Sequence, residues 1–292
     1  MALQPRDPSP PQGGLRPLQA AGVIQPHPIK AAKPPPPQDT RWRLHWLLAA
    51  PHRLGFFGGA LMLAISALWW CIELYARSSG MPVAWSVSPS TAHALTMTLG
   101  FMPLFFVGFL FTAGPKWLGM PEPGTRALLP QVLTYLAGWI LALVGFHASV
   151  LLATAGLVLV AAAWSSLAWK FTDLWRRSRA RDKAHATVVT IACLFGVLAL
   201  WLIAGGLAFG LDTLVRTATQ AALWMFIATV FATVSHRMIP FFSASALPVL
   251  DAWRPMWLLW SMVSILWLEG LFAVLDLWLW PLPGALRWLQ VA

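Results

Sequence analysis

TAHALTMTLGFMPLFFVGFLFTAGPKWLG, residues 91–119, decides what kind of protein this chain is. Its apolar part is long enough to cross a bilayer, because a spanning helix needs about 20 apolar residues. A histidine, His93, stands near its start, and a Pro-Lys-Trp-x-Gly run beginning at Pro115 ends it. The stretch therefore predicts a transmembrane helix with a polar group at each end.

The composition extends this prediction to the whole chain. Hydrophobic residues make up 58% of the sequence and charged residues 10%, whereas soluble domains carry roughly 25% charged residues. The net charge of +10 does not indicate a nucleic-acid partner, because the basic residues lie in the gaps between apolar runs and form no continuous face. The two cysteines, Cys71 and Cys193, both lie inside apolar runs, so a disulfide framework is not expected.

Seven apolar runs predict an all-α, polytopic membrane helical bundle of about seven transmembrane helices, with residues 45–292 as the transmembrane domain. The runs lie at about 55–75, 91–113, 128–146, 149–168, 187–208, 217–240 and 256–280. The third and fourth runs are so close that we expect an antiparallel hairpin with its turn at residues 145–147. Pro103 predicts a kink that a neighbouring group must compensate, and Pro240 is expected to end the sixth span.

The first 44 residues are rich in proline and predict a disordered tail, because such a segment cannot build a core. It has no apolar signal-peptide region. If the tail is cytoplasmic, Lys and Arg divide 17 against 3 in favour of the cytoplasmic side across the seven spans. The positive-inside rule therefore predicts a multi-pass membrane protein with a cytoplasmic N-terminus.

One face of the second span is a candidate cofactor surface. At helical spacing it carries His93, Met97, Gly100, Leu104 and Gly108. A histidine and a methionine one turn apart could face a haem or a copper ion, and glycines let a flat group approach. Packing of the methionine, with an interfacial hydrogen bond for the histidine, is the alternative interpretation.

The histidines divide into two layers. His93 and His147 lie at the predicted outer ends of spans, and His52, His185 and His236 at inner ends. The layers are separated by roughly 30 Å of hydrocarbon, so one haem cannot take ligands from both. A two-histidine site would pair His93 with His147 outside, or His236 with His185 or His52 inside.

Three further features of the last two spans could carry chemistry: a polar face, an arginine and a glutamate. Thr229 and Thr233 share a face with His236 that could line a polar cavity, although threonines in such helices often bond to their own carbonyl groups. Arg237 at the cytoplasmic boundary could pair with an anionic group, either a haem propionate or a lipid phosphate. Glu269, near the middle of the seventh run, is a candidate proton site or a neutral structural carboxyl group.

Three motifs, in order, resemble the NnrS family of bacterial membrane proteins. The family's run reads approximately H-A-H-E-M-L-F-G-F and then G-F-L-L-T-A-x-P-N-W-T-G. The matching residues here are His93, Met97, Gly100, Phe101, Gly108, Phe109, Leu110, Thr112, Ala113, Pro115, Trp117 and Gly119. Arg237 begins RMIPFFS, similar to the family's G-R-x-I-P-F-F-T, and Arg53 begins a weaker match, RLGFF. Leu95 and Thr96 stand where the family's motif has His and Glu.

The resemblance implies a role in the response to nitric oxide or nitrosative stress, with haem b, and copper, as the cofactors to consider. It implies the bacterial inner membrane as the location, His93 as the haem or metal ligand, Met97 as a supporting residue and Arg237 as a contact for an anionic group. His147 is a further cofactor-binding candidate from its depth in the membrane. Two other hypotheses stay open. The chain could be a proton-coupled transporter using Glu269, or a cofactor-free assembly or scaffold protein whose partners are the bilayer and other membrane subunits.

Overall fold

The computed structural model describes residues 43–81, 83–247 and 253–279. In these ranges the protein is all-helical, with seven helices long and apolar enough to cross a membrane. Its α-helices are α1 (Pro51–Ser78), α2 (Pro89–Leu99), α3 (Met102–Leu118), α4 (Leu129–Ala148), α5 (Val150–Arg177), α6 (Ala184–Ala208), α7 (Asp212–Ala221), α8 (Thr229–Ala246) and α9 (Met256–Trp278). The tail predicted for residues 1–44 lies outside the described residues except for its last two.

The seven predicted spans are confirmed. The second span is α2 followed by α3, and the sixth is α7 and α8 joined by a π-helical turn at Ala222–Ala228. The protein is therefore a multi-pass membrane protein. The sixth span is longer than expected, because α8 continues through Pro240 to Ala246. Proline is tolerated inside membrane helices, so the prediction that Pro240 ends this helix is wrong.

The kink expected at Pro103 is confirmed as a break between α2 and α3 at Gly100 and Phe101. The carbonyl of Leu99 would normally accept from the amide of residue 103, but proline has no N–H. The buried Tyr135 hydroxyl on α4 donates to that Leu99 carbonyl instead. A neighbouring helix thus satisfies the group that the proline leaves without a donor.

We expect Tyr135→Phe to lower the free energy of unfolding by about 1–3 kcal/mol, because it leaves the Leu99 carbonyl without a donor. Pro103→Ala restores a backbone amide that can donate to that carbonyl. Tyr135→Phe should therefore lower the free energy of unfolding by less in the Pro103→Ala background than in the wild type. A double-mutant cycle of unfolding in detergent measures this difference, which we expect to be about 1 kcal/mol. Equal costs in both backgrounds would contradict this account.

The third and fourth spans form the predicted hairpin, but its turn is Ser149, not residues 145–147. Those residues are still helical, and Ser149 caps α5 by accepting a hydrogen bond from the amide of Leu152 at 3.2 Å. Serine is a preferred N-cap, which is the local signal for this boundary. The two helices approach so closely that a Cβ atom on Gly145 would lie 2.1 Å from the backbone nitrogen of Ala153.

Close contact also joins α1 to α3. A Cβ atom on Gly55 would lie 2.2 Å from the backbone nitrogen of Gly108. Gly108, from the predicted cofactor face, thus admits a neighbouring helix. At the end of α3, Gly119 adopts a left-handed conformation with φ 60°, and the amide of Met120 donates to the Pro115 carbonyl at 2.9 Å. This glycine-terminated cap explains the final glycine of the Pro-Lys-Trp-x-Gly run.

Candidate functional site

The first candidate site is centred on His93, on α2. Its ring stacks on the indole of Trp70 from α1, with ring centroids 4.0 Å apart and planes 25° apart. Its Nδ1 atom is buried and has no hydrogen-bond partner among the described residues. The stacking fixes the ring, and no described residue bonds to this nitrogen.

His147, at the end of α4, is used differently. Its Nε2 accepts from the Trp69 indole N–H at 3.0 Å, and its Nδ1 lies 2.9 Å from the Ala84 carbonyl oxygen. Because the carbonyl can only accept, the proton must be on Nδ1. His147 therefore joins α1, α4 and the segment before α2, and both of its nitrogens are engaged.

Adjacent tryptophans of α1 thus hold the two outer histidines, Trp70 holding His93 and Trp69 holding His147. As a metal ligand, His147 would have to give up one of two hydrogen bonds, whereas His93 would give up none to any residue that the structure describes. The geometry therefore favours His93 alone as the ligand, and not the predicted pair of His93 with His147.

The residues that follow His93 on α2 show how this part of the helix packs. Met97 is half-buried, and Leu95 and Thr96 are fully buried. The Thr96 hydroxyl donates to the Ala92 carbonyl at 2.7 Å, so it offers no free donor. The two positions where the resembling motif has His and Glu are therefore packed into the core.

With its free Nδ1 in the described structure, His93 is suited to hold a haem iron as a single protein ligand. A copper site commonly draws on several nitrogen or sulfur ligands. Within the described ranges, no group of three or more His, Cys, Asp or Glu side chains could hold a metal ion. The residues therefore fit haem at His93 better than copper.

A second candidate site is a buried histidine pair at the other end of the bundle. The Nε2 of His185 on α6 lies 3.0 Å from the Nδ1 of His236 on α8, and the rings are stacked. His236 Nε2 lies 3.1 Å from the carbonyl oxygen of Pro255, which precedes α9. Arg237 Nη1 lies 3.5 Å from His185 Nδ1.

These groups form a hydrogen-bonded histidine chain that runs from Arg237 through His185 and His236 to Pro255, and the position of each imidazole proton follows from the groups at its two ends. The Pro255 carbonyl only accepts, so His236 carries its proton on Nε2, and its Nδ1 accepts from His185 Nε2–H. His185 Nδ1 then faces the Arg237 guanidinium as an acceptor. Two neutral histidines thus satisfy the whole chain and connect α6, α8 and the start of α9.

The sequence limited the inner pair to His236 with His185 or His52, and the structure brings His236 to His185. His52 lies against Phe56 instead, with ring centroids 6.2 Å apart. Sequence reasoning missed Pro255, because a backbone carbonyl carries no side-chain signal.

Arg237 lies at the edge of this histidine chain. Its guanidinium carbon lies 4.9 Å from the centre of the Trp117 ring, so an aromatic face supports the cation. The carboxylate of Asp182 is 3.9 Å away and 57% exposed, which makes a weak ion pair. Arg237 is therefore positioned by its neighbours but only weakly neutralised.

The predicted polar face of the sixth span is mostly consumed by internal bonds. The Thr229 hydroxyl donates to the Trp224 carbonyl in the π-helical turn at 2.8 Å and accepts from the Trp267 indole of α9 at 3.1 Å. Thr233 is buried, and its hydroxyl has no hydrogen-bond partner in the described ranges. Glu269 is half-buried on α9, and its role as a proton site stays a prediction.

In a comparison with protein families, the chain matches the family described as NnrS protein over residues 46–292. This range includes both candidate sites. No curated protein and no solved structure matches the chain.

Proposed function

The chain belongs to the NnrS family, and from this premise we propose that it acts in the response to nitric oxide and nitrosative stress at the bacterial inner membrane, with haem b held by His93. The proposed orientation places the N-terminus in the cytoplasm, from the distribution of Lys and Arg between the spans. The transporter and scaffold hypotheses stay predictions.

The observation that carries the proposal is the unused imidazole of His93. It lies in the segment that resembles the family's signature, its ring is fixed by Trp70, and its buried Nδ1 has no partner in the described structure. A fixed side chain loses little conformational freedom when it binds. His93 is thus the outer histidine that can bind without breaking a hydrogen bond.

Haem would supply an iron centre whose ligand-binding properties depend on its axial ligand and on the polarity of its pocket. The chain's own contribution is to orient His93 against Trp70, while the Thr96 hydroxyl on the same helix is already bonded to the Ala92 carbonyl. Met97, one helical turn from His93, is the nearest supporting side chain by sequence.

The optical spectrum of the protein purified after haem-replete expression tests the cofactor. We expect a Soret band in the wild type and its loss in His93→Ala, because the variant has no imidazole at this position. His147→Ala is the matched control and should keep the band, since both His147 nitrogens already bond to protein groups. Haem is compared per folded protein, after gel filtration.

A wild-type protein without a Soret band would reject haem binding, and a band retained in His93→Ala would reject His93 as the ligand. The nitric oxide role has its own test. A deletion strain exposed to a nitric oxide donor should regain growth with the wild-type gene and not with His93→Ala. Equal growth of the deletion strain and its parent would contradict the proposed role.

A further inference from the structure

A cavity of about 430 Å³ opens where α3 ends, beside α8 and the residues that precede α9. Three cationic side chains line it, one from each of these elements: Lys116, Arg237 and Arg254. Much of the remaining wall is apolar, with Trp117 and Phe241 among its side chains. None of the described lining residues is acidic. The cavity thus combines a cationic rim with an apolar wall.

Among the described residues, little negative charge compensates the three cations of this cavity. Within the described ranges, the carboxylate of Asp182 forms an ion pair with Arg237 at 3.9 Å, and because it is largely exposed it screens that one cation only weakly. Like charges around one cavity raise the electrostatic free energy, and an anion placed between them lowers it. The charge pattern therefore selects an anionic ligand.

The aromatic residues nearby place the cavity at the membrane surface. Phe241, Trp253 and Trp257 are 57%, 67% and 63% exposed. Exposed aromatic side chains collect at the level of the lipid head groups, where one end is apolar and the other wet. This is also the membrane side on which the sequence concentrates Lys and Arg. A ligand bound at this level would have its polar end in water and its apolar part in the hydrocarbon of the bilayer.

We propose that this cavity binds one anionic phospholipid, with its phosphate among Lys116, Arg237 and Arg254 and an acyl chain along Trp117 and Phe241. The apolar wall distinguishes this ligand from a free phosphate ion, which would use only the cations. Trp117 holds the Arg237 guanidinium in place before the lipid arrives. The site is separate from His93, which lies on α2.

Native mass spectrometry of the full chain, delipidated in a neutral detergent, tests the site. Phosphatidylglycerol and phosphatidylcholine with the same acyl chains are added at increasing concentrations. We expect one phosphatidylglycerol to bind in preference to phosphatidylcholine. The double variant Lys116→Gln/Arg254→Gln should weaken this binding by about 30-fold, from about 1 kcal/mol per basic residue near an anionic lipid. Arg237 is left unchanged because it also contacts His185.

The matched control is Arg126→Gln/Arg179→Gln, which removes the same charge from exposed residues outside the cavity. This control should bind phosphatidylglycerol as the wild type does. Equal binding of the two lipids by the wild type would overturn the proposal, as would equal weakening by the two double variants. Inorganic phosphate is the second ligand, and complete displacement of the lipid by millimolar phosphate would assign the site to a free anion instead.

Discussion

Replacing Gly145 with alanine is expected to lower the free energy of unfolding by about 3 kcal/mol, near the upper end for an overpacked site. The added Cβ would lie 2.1 Å from the nitrogen and 2.5 Å from the Cα of Ala153. These are backbone atoms, so no side chain can rotate to make room. The α4–α5 hairpin would have to separate along its length.

Thermal unfolding in detergent measures this effect, and a loss of about 3 kcal/mol corresponds to a fall in Tm of about 6–12 °C for a chain of this size. Gly205→Ala is the matched control, because a Cβ atom there meets nothing within 4 Å and the residue lies within α6. Alanine is a better helix former than glycine, so the control should be neutral or slightly stabilising. Equal losses in the two variants would show that close packing is not the cause.

The hydrophobic pattern predicted the seven spans because a bilayer requires long apolar helices, and length is directly readable from sequence. The effects of single residues, such as a proline, were harder to predict. Pro103 and Pro240 carry the same side chain, yet the first lies just after a helix break and the second lies within α8. What differs is the tertiary surroundings, such as the Tyr135 hydroxyl at the first proline, and sequence spacing does not contain them.

The same limit explains the histidines. Depth in the membrane correctly grouped His185 with His236, because residues at the same ends of neighbouring spans must lie in one layer. Depth could not distinguish His93 from His147. Their difference depends on which indole N–H or backbone carbonyl reaches each ring, and Trp69 and Trp70 are adjacent in the chain. The sequence thus located the candidate residues. Packing showed that His147 is hydrogen-bonded through both nitrogens, whereas the Nδ1 of His93 has no partner among the described residues.

His236→Leu is expected to lower the free energy of unfolding by about 2–6 kcal/mol, because it leaves two groups without partners at about 1–3 kcal/mol each. These groups are the His185 Nε2–H and the Pro255 carbonyl, both of which bond to His236 in the folded protein. His236 is only 6% exposed, so water has little access to replace the lost bonds. The connection between α8 and the start of α9 should weaken with them.

His52→Leu is the control for this change, since the buried Nδ1 of His52 has no hydrogen-bond partner among the described residues. Removing a buried polar atom that makes no bond should cost little or should stabilise the fold. Proteolysis of the segment before α9, compared at equal temperature, measures the local part of the effect. We expect faster cleavage in His236→Leu than in His52→Leu or the wild type, because the start of α9 should unfold locally more often when the hydrogen bond to the Pro255 carbonyl is lost. Equal cleavage and equal Tm in the two variants would mean that the histidine chain does not hold α9.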